Sequence, residues 1–187
     1  MDAGSGKEAR GEAIIIRAVF AMIIACASAL LPVQPAVAGP AEHRPCGGAD
    51  RADTIILCIS GQVRGGAVAF DHAALQALPA AVLETSTVVT DGVHRFSGIL
   101  MRDLLDHVDA KGETVTAIAL NDYAVDIPIS DFHDFDVILA MRMDGVPLAR
   151  ADKGPLWIVY PRDADLRLQD IRYDYRWVWQ LSRLELR

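Results

Sequence analysis

From residue 54 onward, hydrophobic and polar positions follow each other in short runs that are typical of β-strands rather than of helices. The runs are rich in β-branched residues, and several end at glycine, proline or Asp-Gly turn signals. The predicted strands are TIILCISGQV (54–63), VLETSTVVT (82–90), TVTAIAL (114–120), YAVDIPI (123–129), VILAMRM (137–143), PLWIVYP (155–161) and RWVWQLSRLELR (176–187).

Two segments have helical periodicity instead. HAALQAL (72–78) follows Asp71, which can cap a helix, and precedes Pro79, which stops one. GILMRDLLDHV (98–108) places its apolar residues on one face of a helix. The polar stretch 163–175 has neither pattern. Because strands outnumber helices and do not alternate with them regularly, the pattern predicts an α+β fold with mixed β-sheets and few short helices.

The first 38 residues have the order of a secretory signal peptide. Basic residues precede an apolar run at 18–31, and an A-x-A cleavage site follows at 36–38. The alternative is a membrane anchor, but the apolar run is shorter than the ~18–20 residues that a spanning helix needs. The sequence therefore predicts a periplasmic protein with no membrane insertion after cleavage. Its expected parts are a flexible arm at 39–53 and one folded domain at 54–187.

Charge and cysteine content bear on the possible partners and on disulfide bonding. The formal net charge is −7, and the predicted leader contains as many basic as acidic residues, so the exported part keeps that charge. An acidic surface argues against nucleic acid as a partner. Cys46 and Cys58 remain after cleavage and can form a disulfide in an oxidising compartment. The alternative is that Cys58, which lies in a predicted strand, is a buried unpaired residue.

The sequence contains no recognisable metal-binding or catalytic motif. Its histidines are scattered, and neither H-x-x-x-H nor C-x-x-C spacing occurs. The acidic segment SDFHDFD (130–136) lacks the glycine and the terminal glutamate of an EF-hand loop and is predicted to be a capped, solvated turn. We therefore assign no metal ligand and no catalytic residue.

Polar and aromatic residues collect at predicted strand ends. Asn121, Asp122 and Tyr123 interrupt two apolar strands, and their hydrogen-bonding groups are costly to bury without partners. One interpretation is a concave ligand site, in which Asn and Asp pair with the edge of a flat polar heterocycle while Trp and Arg stack on its face. The other is an Asn-Asp β-turn between two strands, with the tryptophans in the core.

Six stretches, in a fixed order, cover nearly the whole chain after the predicted leader: FDHAALQALP, TSTVVTDG, FSGILMRDLLD, ALNDYAVDIP, DKGPLWIVYPRD and RWVWQLSRLEL. Together they resemble the sulfite-oxidase-like molybdopterin-binding domain, and most closely its small exported single-domain members. The resemblance implies the fold of that family over 54–187 and a pterin-shaped pocket, with Gly154-Pro155 and Arg176-Trp177 helping to hold the pterin. With the polar strand ends, it gives these candidate ligand-binding residues: Thr87, Asp91, Asn121, Asp122, Tyr123, Lys153, Trp157, Arg176 and Trp177.

Two departures from the family pattern concern the same region. Catalytic relatives ligate molybdenum through a cysteine on the segment before an F/W-x-G turn, whereas this chain has ETST (84–87) ahead of FSG (96–98). Hydroxyl groups are poor replacements for a soft thiolate. The second departure is Val89, where the resemblance leads one to expect a tryptophan in the pocket wall.

The resemblance with these departures implies a periplasmic protein that binds a reduced pterin without molybdenum. Its expected partner is the periplasmic domain of a membrane-bound signalling protein that makes or degrades cyclic di-GMP. One alternative is a molybdopterin-dependent oxidoreductase with a non-cysteine metal site, and another is an interaction domain with an empty pocket. In the pterin-binding interpretation, we expect Arg176 and Asp122 to serve ligand binding more than folding.

Overall fold

The computed structural model describes residues 54–187, and the predicted leader (1–38) and arm (39–53) lie outside this part of the chain. The strands are β1 Ile55–Gly61, β2 Ala67–Asp71, β3 Ala80–Ser86, β4 Val93–Leu100, β5 Thr114–Ala119, β6 Ala124–Pro128, β7 Ile138–Met143, β8 Val146–Pro147, β9 Trp157–Val159 and β10 Leu181–Leu186. The helices are α1 His72–Gln76, α2 Met101–His107, α3 Ser130–Asp134 and α4 Ile171–Asp174, with a 3₁₀ helix at Leu166–Gln169. Within 54–187, no helix is long and apolar enough to cross a membrane.

The strands form two five-stranded sheets, which confirms the predicted α+β class with mixed sheets. The first sheet has the order β2-β1-β10-β5-β6, in which β1 and β10 are parallel and the other neighbours are antiparallel. The second has the order β3-β4-β7-β8, and β9 also pairs with β7. Buried side chains from both sheets and from α2 join one hydrophobic cluster.

The central position of β10 places the candidate site. Because β10 runs antiparallel to β5, its first residue, Leu181, pairs with the last residue of β5, Ala119. The chain segment just before β10 therefore lies beside the turn that follows β5, and the Leu120 amide donates to the Gln180 carbonyl across this junction at 2.9 Å. Two segments that are distant in sequence meet at one end of the first sheet.

The second sheet contains the main differences from the predicted elements. β4 was not predicted, and the FSG motif lies inside this strand rather than in a turn. The helix predicted to begin at residue 98 begins at Met101, because Gly98 to Leu100 pair with β7. A Cβ atom at Gly98 would lie 1.9 Å from the Leu139 carbonyl oxygen, so only glycine permits this close approach.

The boundaries of other elements also differ from the prediction. The strand predicted at 82–90 stops at Ser86, and the final strand begins only at Leu181. The stretch 163–175 is not irregular, since it contains the 3₁₀ helix and α4, each capped by an aspartate, Asp165 and Asp170 respectively. β2, β8 and α3 are short elements that the hydrophobic pattern did not predict.

Candidate functional site

A cavity of about 330 Å³ opens where the end of β5 and the segment before β10 meet the loop after β3. Its inner wall is formed by the buried residues Ala119, Trp177 and Val178. The exposed side chains at its rim are Val88, Val89, Tyr123, Tyr175 and Trp179. Asn121 and Asp174 add polar groups to this mostly apolar wall. The volume is at the small end of the range for ligand pockets.

The Asn-Asp turn and the pocket, which were alternatives at the sequence level, occur together. The Asn121 side-chain oxygen accepts from the Tyr123 amide at 3.1 Å, and Asp122 takes the left-handed conformation with a φ of 62°. This turn directs Tyr123 toward the segment before β10, where its hydroxyl donates to the Tyr175 carbonyl at 3.0 Å. The turn therefore builds one side of the cavity rim.

Asp122 itself lies outside the cavity wall. Its side chain is 85% exposed and forms an ion pair with Arg183 at 3.1 Å. In the left-handed conformation of the turn, the residues on either side of it face the cavity while its carboxylate does not. The structure therefore brings Asn121, Tyr123 and Trp177 together at the cavity and separates Asp122 from them.

Arg176 is held by a buried network below the cavity. Its guanidinium donates to the Asp131 carboxylate and stacks over the Tyr173 ring, 4.7 Å from the ring centroid. The Tyr160 hydroxyl donates to the same Asp131 oxygen at 2.8 Å. Burial raises the pKa of Tyr160 well above its usual range, and the neighbouring Asp131 charge adds a smaller effect in the same direction. The structure thus gives Arg176 a role in folding that the sequence did not predict.

Trp157 and Lys153 lie behind the inner wall. Trp157 is fully buried and packs edge-to-face against Phe96 and Trp177, with centroid distances of 5.4 and 6.4 Å. The Lys153 ammonium lies 5.9 Å from the Trp157 ring centroid and forms an ion pair with Asp152 at 2.9 Å. Trp157 therefore supports Trp177 from below, and neither it nor Lys153 belongs to the cavity wall.

The loop after β3 is anchored by a carboxylate. Asp163 accepts from the Ser86 amide at 2.5 Å and from the Ser86 hydroxyl at 2.6 Å. These two bonds hold the pKa of Asp163 below its ordinary value of 3.8, and the bond from the hydroxyl has the larger effect. The ETST segment (84–87) is thus held at Ser86, shortly before Val88 and Val89, which line the cavity.

Thr87 and Asp91 shape the same loop without entering the cavity wall. The Thr87 hydroxyl bonds the Thr90 hydroxyl at 2.7 Å and accepts from the Val89 amide at 3.1 Å. Asp91 is exposed, and its carbonyl oxygen accepts from a ring nitrogen of His94 at 3.0 Å. Val89, where the resemblance led us to expect tryptophan, lies in the cavity wall, so a smaller side chain occupies that position.

Asp174 is one of the cavity residues that the sequence did not single out. Its Oδ1 atom is buried and has no hydrogen-bond partner within residues 54–187, and the same is true of the indole nitrogen of Trp177. Buried polar atoms without partners are costly, and they commonly mark a place where a ligand or water completes the bonding. The available signal was position: Asp174 precedes Trp177 by three residues in the segment that leads into β10.

The sulfur and acidic groups of the described residues do not form a metal centre. Cys58 is disulfide-bonded, which removes its thiolate from metal binding. Its partner lies outside the described residues, as does Cys46, so the Cys46–Cys58 pairing stays a prediction. Residues 54–187 contain no group of three His, Cys, Asp or Glu side chains that could hold a metal ion.

Residues 54–187 thus form an α+β domain with a cavity at one end of the first sheet. The chain belongs to the oxidoreductase molybdopterin binding domain family, whose family model matches residues 55–167. The match confirms the resemblance and the sulfite-oxidase-like fold, and it makes molybdopterin a candidate ligand. A comparison with the curated proteins found no match. The segment that carries Asp174 and Trp177 lies beyond the matched range.

Proposed function

We propose that this chain is a periplasmic pterin-binding protein that binds a reduced pterin without molybdenum. The observation that carries the proposal is the cavity, which combines aromatic and apolar walls with the Oδ1 atom of Asp174, an acceptor that has no partner within residues 54–187. Aromatic rings provide stacking surfaces for a flat bicycle, and a carboxylate can accept hydrogen bonds from its N–H groups. The family supplies the expectation that the ligand is a pterin.

The segment before β4 supports a free pterin over molybdopterin with its metal. At the metal-ligand segment of the family this chain has hydroxyl groups, and Ser86 bonds Asp163. The alternative of a molybdopterin-dependent oxidoreductase with a non-cysteine metal site rests on family membership.

The signalling part of the proposal concerns the partner. A reduced-pterin sensor in the periplasm would act on the periplasmic domain of a membrane-bound protein that makes or degrades cyclic di-GMP. The support is the leader-like pattern of the first 38 residues and the resemblance to small exported members of the family. N-terminal sequencing of the periplasmic fraction checks the location, because the proposal requires a mature terminus at Gly39.

The ligand is identified by analysing the protein as its own cell loads it. Protein purified anaerobically from the periplasm is extracted, and the extract is examined by mass spectrometry while a matched sample is assayed for molybdenum. The expected result is a reduced pterin at about one per chain and no stoichiometric molybdenum. About one molybdenum per chain would replace this proposal with the oxidoreductase, and an empty cavity would favour an interaction domain.

A further inference from the structure

We infer that Asp174 selects the ligand by its edge, accepting hydrogen bonds from the 2-amino and N3–H groups of a pterin. The inference rests on the proposed function and specifies the chemistry of the same site. It predicts that the cavity accepts a 2-amino-4-oxopyrimidine edge and discriminates against a 2,4-dioxopyrimidine edge. A pterin has the first edge, and the corresponding lumazine has the second with otherwise the same ring system.

Within residues 54–187, one oxygen atom of the Asp174 carboxylate lacks a hydrogen-bond donor. Its Oδ1 is buried without a donor within residues 54–187, although the residue lies in the wall of a cavity. By contrast, Asp163 receives two bonds from Ser86, and Asp122 is paired with Arg183. Asp174 thus differs from these aspartates, because it lies in the cavity wall and one of its oxygen atoms lacks a partner within residues 54–187.

Hydrogen-bond polarity then determines which edge fits. An ionised carboxylate has two oxygen atoms that only accept, so it matches two adjacent N–H donors. The pterin edge offers the 2-amino group beside N3–H, whereas lumazine places a carbonyl oxygen at position 2. That oxygen would face the carboxylate, which gives repulsion where the pterin has a hydrogen bond. Trp177, whose indole N–H also lacks a partner within the described residues, supplies a donor in the same wall.

The test compares two ligands that differ only at position 2. The tetrahydro forms of 6,7-dimethylpterin and 6,7-dimethyllumazine are titrated anaerobically into the full exported chain by calorimetry. We expect the pterin to bind roughly 10- to 100-fold more tightly, the range for one hydrogen bond to a charged group. Asp174→Asn, which replaces one acceptor with a donor at nearly constant shape, should abolish or reverse this preference.

Asp122→Asn is the matched control, because it makes the same chemical change at an aspartate outside the cavity wall. It should leave both affinities unchanged. The inference is overturned if wild type binds the two ligands equally, if Asp174→Asn keeps the preference, or if Asp122→Asn removes it. If Asp174→Asn does not fold, equal binding of the two ligands to wild type still overturns the inference.

Two further outcomes separate this inference from the proposed function. Guanosine presents the same 2-amino-oxopyrimidine edge on a smaller bicycle and is titrated as a third ligand. If guanosine binds more tightly than the pterin while lumazine remains weak, the edge inference stands and the pterin function is overturned. If none of the three ligands binds at millimolar concentration, the proposed function fails and this inference fails with it.

Discussion

The guanidinium of Arg176 forms an ion pair with the carboxylate of Asp131, whose side chain is only 8% exposed. Tyr160 donates a second hydrogen bond to the same carboxylate from the buried core. Asp131 lies in α3, and Arg176 lies in the segment that carries the inner wall of the cavity. The pair therefore fastens that wall to the body of the domain.

Removing Arg176 should destabilise the fold. Arg176→Ala leaves the buried Asp131 carboxylate without its cation, and breaking such a pair typically costs about 3–5 kcal/mol. Urea denaturation at neutral pH measures the free energy of unfolding. The control is Arg183→Ala, which removes an exposed pair and should cost only ~0–1 kcal/mol. Equal losses of unfolding free energy in the two variants would show that the Arg176–Asp131 pair contributes no more than an exposed ion pair.

Acid should weaken the anchor of the loop after β3. The pKa of Asp163 is lowered in the folded protein, so its bonds to Ser86 add stability that is fully present above pH 3.8, the ordinary value. This contribution is lost as the pH falls below that value through the folded-state pKa. Asp163→Asn should therefore be less stable than wild type at pH 7, and the difference should shrink on acidification.

The measurement is a series of urea denaturation curves between neutral and acidic pH for wild type and Asp163→Asn. Ser86→Ala provides the matched variant from the other side of the interaction, since it keeps the amide bond and removes the hydroxyl bond. It should show a smaller loss with the same sign of pH dependence. A stability difference that is constant with pH would contradict this account of Asp163.

Much of the fold could be predicted because the local residue pattern of several strands is enough to predict a strand. The runs that became β5 and the first half of β7 are buried, and those that became β1 and β6 alternate between more and less buried positions, so local pattern and tertiary structure agree. β4 is different, because its last residues continue into α2 with helical spacing. Pairing with β3 on one side and β7 on the other decides its conformation, and a local pattern does not contain that information.

The candidate site was predictable only in part, for a related reason. Asn121 and Tyr123 were visible because they interrupt apolar strands, and both lie in the cavity wall. Asp174 was not, because a carboxylate in a polar stretch is normally solvated. The burial of its Oδ1 atom without a partner among residues 54–187 arises only from the folded arrangement. The sequence showed that Arg176 is a cation, but its anion, Asp131, lies 45 positions away.

Ligand binding should be visible in tryptophan fluorescence. The three tryptophans divide into Trp177 and Trp179 in the cavity wall and Trp157 behind it. A reduced pterin stacked in the cavity should quench emission by contact, so Trp179→Phe should reduce the ligand-dependent change. Trp157→Phe should preserve that change while lowering total emission. Circular dichroism confirms that both variants fold, and an undiminished change in Trp179→Phe would place the ligand elsewhere.

The hydrogen bond from the Tyr123 hydroxyl to the Tyr175 carbonyl joins the two sides of the cavity rim. Tyr123→Phe keeps the ring and removes the bond, whose net value is ~0.5–1.5 kcal/mol, so pterin binding should weaken by up to about tenfold. The loss should appear mainly as faster dissociation in stopped-flow measurements, because the rim is held less firmly around the bound ligand.

The matched control for this rim contact is Tyr175→Phe. The acceptor is the Tyr175 backbone carbonyl, so removing the Tyr175 hydroxyl leaves the rim bond in place. This variant should keep the wild-type dissociation rate, although its side chain is the more exposed of the two tyrosines. If both variants release the pterin equally fast, the hydroxyl groups act directly on the ligand and the bond across the rim does not control release.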